Sequence, residues 1–184
     1  PDMIAMMRSA LARGFALLVL TNALRPMRRF GAALEEIAAA HGSRIVMRVS
    51  LDHHGRAAHE AERGAGSWAK AIEGLIWLAR AGFRVAVAGR MLEDEAEARA
   101  GYERLFRRLG VEIDHLVLFP TMDVSADVPE ISESCWDVLG VSPSAMMCAT
   151  SRMVVKAKGA KRPHVVACTL LPHDGRFAMG ATLA

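Results

Sequence analysis

The sequence predicts an α/β protein: a partial (β/α) barrel of parallel strands followed by a small C-terminal β-hairpin extension. Three observations predict this class. Helical and extended patterns alternate at roughly 30-residue intervals through the first two thirds of the chain. The extended segments are continuous apolar runs such as FALLVLT, as in parallel strands covered on both faces. Glycines at 14, 82 and 110 close three of the helical patterns, leaving short connections to the next strand.

The elements follow in order. Met3 to Arg13 reads as a helix with Ile4, Met7 and Leu11 on one face. Phe15 to Thr21 is the first strand, expected to be buried on both faces. Pro26 to Ala40 reads as one helix, with Phe30, Leu34 and Ile37 in phase. Arg44 to Ser50 is the second strand. Ser67 is the expected N-cap of a helix through Ala81, with Ile72, Leu75, Ile76 and Leu78 as its stripe. Phe83 to Ala88 is the third strand, Glu93 to Leu109 a helix, and Ile113 to Phe119 the fourth strand. The pattern then changes. Ile131 to Leu139 reads as a short helix, and Arg152 to Lys156 and His164 to Leu170 as two strands of a hairpin. Residues 1–125 therefore form the barrel part and residues 126–184 the extension. Periodicity does not separate a barrel from a doubly wound sheet. In both, function lies at the C-terminal ends of the strands, here Thr21-Asn22, Ser50-Asp52, Gly89-Arg90 and Thr121-Asp123.

Composition excludes several classes. The 184 residues, 52% hydrophobic and 23% charged, suffice for one sizeable core. Net charge is only +3 and aromatic content 5%, with acidic and basic residues interspersed, so no nucleic-acid partner is expected. No apolar run approaches the ~20 residues of a membrane span, and no secretory signal pattern opens the chain. Three cysteines, an odd number, point to a reducing, cytoplasmic setting. Pro1-Asp2 reads as the cap of a helix already under way, and Gly180 to Ala184 has no polar tail. Both ends are expected to be cut rather than finished.

The chemistry-bearing residues cluster in VSLDHHGRAAHEAERG, Val49 to Gly64. Asp52, His53 and His54 follow an apolar strand, and such a set can hold Mn²⁺ or Zn²⁺. Phosphoesterases named for an Asp-His-His triplet also carry Asp-x-Asp on an earlier strand, where this chain has Thr21-Asn22. The plainer reading makes His53 and His54 solvated loop residues, because adjacent side chains tend to point apart. Ser50 and Asp52 can accept or share hydrogen bonds with ribose hydroxyls. Arg63 can grip a carboxylate with its fork or pair with Glu60 or Glu62. Asn22 offers a donor and an acceptor or simply shapes a turn. His59 is expected to orient its loop.

Taken together, Leu20-Thr-Asn-Ala23, Val49-Ser-Leu-Asp52, His59-Glu60, Arg63-Gly64 and the helix from Ser67 resemble the corresponding segments of radical S-adenosylmethionine (radical SAM) enzymes, over most of residues 2–184. Two departures are Ala23 and His53, where that family has glycine. Cys148 and Cys168, with Gly159 between them, resemble the opening of a SPASM or twitch-like auxiliary-cluster extension, although the gap from Gly159 to Cys168 is longer than usual. The resemblance implies S-adenosylmethionine as cofactor, contacted by Asn22, Ser50, Asp52 and Arg63. It implies an auxiliary 4Fe–4S cluster held in part by Cys148 and Cys168. It also implies reductive cleavage to a 5′-deoxyadenosyl radical and hydrogen abstraction from a peptide or small-molecule substrate, with ferredoxin or flavodoxin as electron donor. The Cys-x3-Cys-x2-Cys triplet that holds the main cluster is not in this sequence, whose cysteines are 135, 148 and 168. The expectation is a fragment that follows that triplet and is inactive alone. Two alternatives stand beside it: an Asp-His-His metal phosphoesterase and a non-catalytic α/β nucleotide-binding module.

Overall fold

The computed structural model describes residues 2–121, 134–145, 147–167 and 174–182. It divides into two compact units, Pro1–Val124 and Ser125–Ala184.

In the first unit, four parallel strands form one sheet: β1 (Leu17–Thr21), β2 (Ile45–Ser50), β3 (Arg84–Met91) and β4 (His115–Pro120), in the order β1-β2-β3-β4. α1 (Met3–Ala12) precedes β1, and between the strands run α2 (Arg25–Arg28), α3 (Gly31–His41), α4 (Arg56–Arg63), α5 (Ser67–Arg80) and α6 (Glu95–Leu109). Every strand pairs with its sequence neighbour, so the sheet is singly wound. That order, with crossovers of one hand, puts the helices on one face and decides for a partial barrel over a doubly wound sheet.

The core lies between that face and the helices. Ile45, Met47, Val49, Val85 and Val87 from the sheet pack with Ile4, Met7 and Leu11 of α1, Leu34 and Ile37 of α3, Leu75 and Leu78 of α5, and Tyr102 and Leu105 of α6. The expectation that β1 is covered on both faces is corrected. β1 alternates between half-buried and exposed positions, with Leu18 52% and Leu20 64% exposed. β1 is an edge strand, and these side chains share the face opposite the helices with Arg48, Ser50 and Phe119.

Three helix assignments also differ. The expected helix from Pro26 to Ala40 is two: α2 carries Pro26 in its first turn, and the chain breaks at Phe30 (φ −100°, ψ 15°) before α3 begins. Phe30 is consequently 43% exposed rather than part of the stripe. Ser67 does not cap α5. Gly66 stands at that position in the left-handed region (φ 74°), and the Ser67 hydroxyl donates back to the Gly64 carbonyl at 2.6 Å. Finally, α4 occupies a stretch read as loop. Its alanine-rich sequence and the Arg56–Glu60 pair one turn apart support a helix. By contrast, Asp94 caps α6 by accepting from the Ala96 and Glu97 amides, and Gly110 closes it at φ 63°.

The second unit holds α7 (Cys135–Leu139), α8 (Met147–Thr150) and an antiparallel sheet of β5 (Met153–Val155), β6 (His164–Val166) and β7 (Ala178–Gly180). The expected hairpin is present as β5–β6, and β7 adds a third strand on the other side of β6. Among the described residues no helix is long and apolar enough to cross a membrane.

Candidate functional site

β2 delivers the site. After Ser50 the ladder to β3 continues for two residues: the Leu51 amide donates to Ala88 and the Arg90 amide to the Asp52 carbonyl, both at 2.9 Å. Asp52 is thereby fixed at the C-terminal rim of the sheet. Its own amide donates to His59 Nδ1 at 3.1 Å, and its carboxylate takes both prongs of the Arg63 guanidinium, Nε at 2.5 Å and Nη2 at 2.9 Å. Four interactions converge on one buried residue and pin α4 to the strand end.

Asn22, Ser50, His59, Arg63 and Ser67 line a cavity of ≈ 240 Å³ at the C-terminal ends of β1 and β2. Three of the four residues expected to contact a cofactor thus share one cavity, and the fourth, Asp52, is tied to Arg63. The Arg63 fork engages Asp52 and not Glu60 or Glu62, which instead pair with Arg56 and Arg90. Asn22 Oδ1 accepts from the Leu24 amide at 3.2 Å, so it does shape a turn, while its side-chain Nδ2 has no partner among the described residues. Nor does the Ser50 hydroxyl. Ala23 lies at φ 54°, the left-handed region that favours glycine. The Thr21 hydroxyl holds it there by accepting from its amide at 2.9 Å.

His59 was assigned only to its loop. It is 1% exposed and belongs to the cavity wall. Because Nδ1 accepts from an amide, the neutral ring carries its proton on Nε2. Burial lowers its pKa below the ordinary value; the Arg63 charge lowers it further, against an opposing contribution from Asp52. The sign for stability follows. Below about pH 6.5 the unfolded chain protonates this histidine while the folded chain resists, so stability falls as pH drops. Urea midpoints should therefore decline between pH 7.5 and pH 5.5 (ordinary His titration range ~6.5). His59→Asn, whose Oδ1 replaces Nδ1 as acceptor, should flatten that decline.

A second cluster lies beside the first. Nε2 of His54 and Nε2 of His53 approach the same Glu93 oxygen, at 2.8 and 3.4 Å, and the two rings lie 4.1 Å apart between centroids. The expectation of solvated histidines pointing apart is corrected: His53 is 9% exposed, and both rings are held on one carboxylate. His54 also rests on the backbone of α6, where a Cβ on Gly101 would come within 2.2 Å of its ring. Hydrogen bonding to His54 lowers the Glu93 pKa. His53, His54 and Glu93 present donor atoms within 4.8 Å of one another, a two-histidine, one-carboxylate set. The His53 Nδ1, however, accepts from the Gly55 amide at 2.8 Å, which keeps the proton of the neutral ring on Nε2. Nε2 therefore carries a proton, 3.4 Å from the Glu93 carboxylate, and is not a free ligand. Asp52 turns away to Arg63, so the Asp-His-His triplet does not converge as a metal-holding set. Glu93 escaped sequence reasoning because it reads as the start of an acidic run and lies 39 residues from its partner.

Cys168 and the side chain of Cys148 lie outside the described residues, as does Asp123.

No family model and no curated protein matches the chain. Among solved structures it is similar to SuiB from Streptococcus suis, with a TM-score of 0.60 at 8% identity, covering 98% of this chain and 50% of that one. It is similar also to SuiB bound to S-adenosylmethionine, with a TM-score of 0.59 at 8% identity, covering 98% of this chain and 48% of that one. The chain thus spans about half the length of these structures. At this identity the likeness is one of fold.

Proposed function

We propose that this chain is the cofactor-binding part of a radical SAM enzyme and that its rim cavity receives S-adenosylmethionine. The observation that carries the reading is the cavity itself, which places unpartnered polar groups of Asn22 and Ser50 at the ends of adjacent parallel strands. The shared fold with a structure bound to S-adenosylmethionine supports it. The donor set fits such a ligand. The Ser50 hydroxyl and the Asn22 amide can meet ribose hydroxyls or the amino-carboxylate end. His59 presents a neutral ring. Arg63 adds positive charge to the wall while staying locked to Asp52.

When bound, the cofactor would supply a sulfonium that one electron from the external donor would cleave to a thioether and a carbon-centred radical. The residues of this chain bind and orient it and shield its ribose from water. A main 4Fe–4S cluster does not fit the cysteines of this sequence, which lack three closely spaced thiols. The auxiliary role of Cys148 and Cys168, the peptide or small-molecule substrate and the electron donor belong to the same proposal.

Calorimetric titration with S-adenosylmethionine tests it. Saturable binding is expected, weakened about tenfold by Ser50→Ala or Asn22→Ala, the loss of one hydrogen bond to a charged or strongly polar group. Absence of saturable binding by a folded chain, or unchanged affinity in both variants, would sink the reading.

A further inference from the structure

A second cavity, of ≈ 570 Å³, lies between α6 and the starts of α4 and α5, and Arg56, Trp68, Arg104, Arg108, His54 and Gly101 contribute to its wall. Its chemistry is one-sided. Three arginines line it and no carboxylate does. Arg56 spends its Nε on Glu60 at 3.0 Å. Arg104 and Arg108 have no hydrogen bond or ion pair among the described residues. They stand one turn apart on α6, where like charges repel. The indole Nε1 of Trp68 is buried without a hydrogen-bond partner, a donor that native structures rarely leave unmet. His54 is held against α6 by Glu93 and by the missing side chain at Gly101, which fixes that wall.

We propose that this cavity is an anion site for a phosphoryl-bearing small molecule, separate from the rim cavity. Two uncompensated guanidinium groups match a multiply charged oxyanion better than a single carboxylate, since each fork can take two oxygens. An anion here would relieve the repulsion between Arg104 and Arg108.

The test uses the whole chain with Trp77→Phe and Trp136→Phe, so that Trp68 is the sole fluorophore, titrated with pyrophosphate and with inorganic phosphate. The expected result is saturable binding with a change in Trp68 emission, weakening as sodium chloride is raised. Arg104→Gln with Arg108→Gln should weaken it about tenfold or more. Both residues are exposed on the helix, so the fold should persist by circular dichroism. The proposal is overturned if neither anion saturates or if the double arginine variant binds as tightly as its parent. It is equally overturned if an oligoglutamate peptide saturates the site while pyrophosphate does not, which would make this an acidic-protein surface.

Discussion

Gly74→Ala should unfold the first unit or destabilise it by about 3 kcal/mol or more, a large share of the 5–15 kcal/mol that typically holds a domain. A Cβ at Gly74 would lie 2.1 Å from the Ala23 carbonyl oxygen, 2.6 Å from the Ala23 Cβ and 2.9 Å from its carbonyl carbon. Two of those neighbours are main-chain atoms, so no rotamer change relieves the contact. The Ala23 turn cannot yield easily either, because the Thr21 hydroxyl and the Asn22 side-chain Oδ1 hold the amides of residues 23 and 24 at 2.9 and 3.2 Å. Relief requires α5 to move off the sheet, exposing Leu75 and Leu78, both 0% exposed. Gly31→Ala is the control. Its Cβ would meet only the Trp77 ring, at 3.8 Å, and the urea midpoint should stay or rise slightly. A Gly74→Ala protein with an unchanged midpoint would show that α5 and the Ala23 turn are not in this contact.

Arg63→Gln should cost about 3 kcal/mol, the lower end of the range for breaking a buried ion pair. The loss arises mainly from the partner left behind. The Asp52 side chain is 12% exposed, whereas Arg63 at 36% can be hydrated once released. The bidentate geometry makes the pair a clamp as well as a charge contact, since it ties the last residue of α4 to the end of β2. Asp52→Asn combined with Arg63→Gln should recover at least half of the loss by restoring a neutral pair. If the double variant is no more stable than Arg63→Gln alone, the unpaired carboxylate is not the cause. Affinity for S-adenosylmethionine should fall in Arg63→Gln through movement of α4.

How much of this was legible in the sequence depends on the range of each interaction. The strands β2, β3 and β4 and the helices α5 and α6 follow from local patterns: apolar runs, a 3.6-residue stripe, and the closing Gly110. The membership of Asn22, Ser50 and Arg63 in one cavity is consistent with parallel strands ending on one side. What periodicity does not carry is the direction of side chains on the rim. Asp52 could face ligand, metal or Arg63, and only the fold decides which. Glu93 joins His53 and His54 across most of a βα unit, with no spacing rule to reveal it. The break at Phe30 was hidden because Leu34 and Ile37 keep helical phase on its far side. Even the exposure of Leu18 and Leu20 depends on β1 being an edge, a property of strand order that composition does not contain.

The order β1-β2-β3-β4 also bears on how the chain becomes structured. Each strand finds its partner one or two helices away, so no pairing waits for a distant segment. On a ribosome, β2 can dock on β1 once α3 has emerged, and β3 on β2 once α5 has followed, so the sheet can grow in the direction of synthesis. The strand that is open at any moment during that growth is the newest one, and its cover arrives with the next forty or so residues of chain.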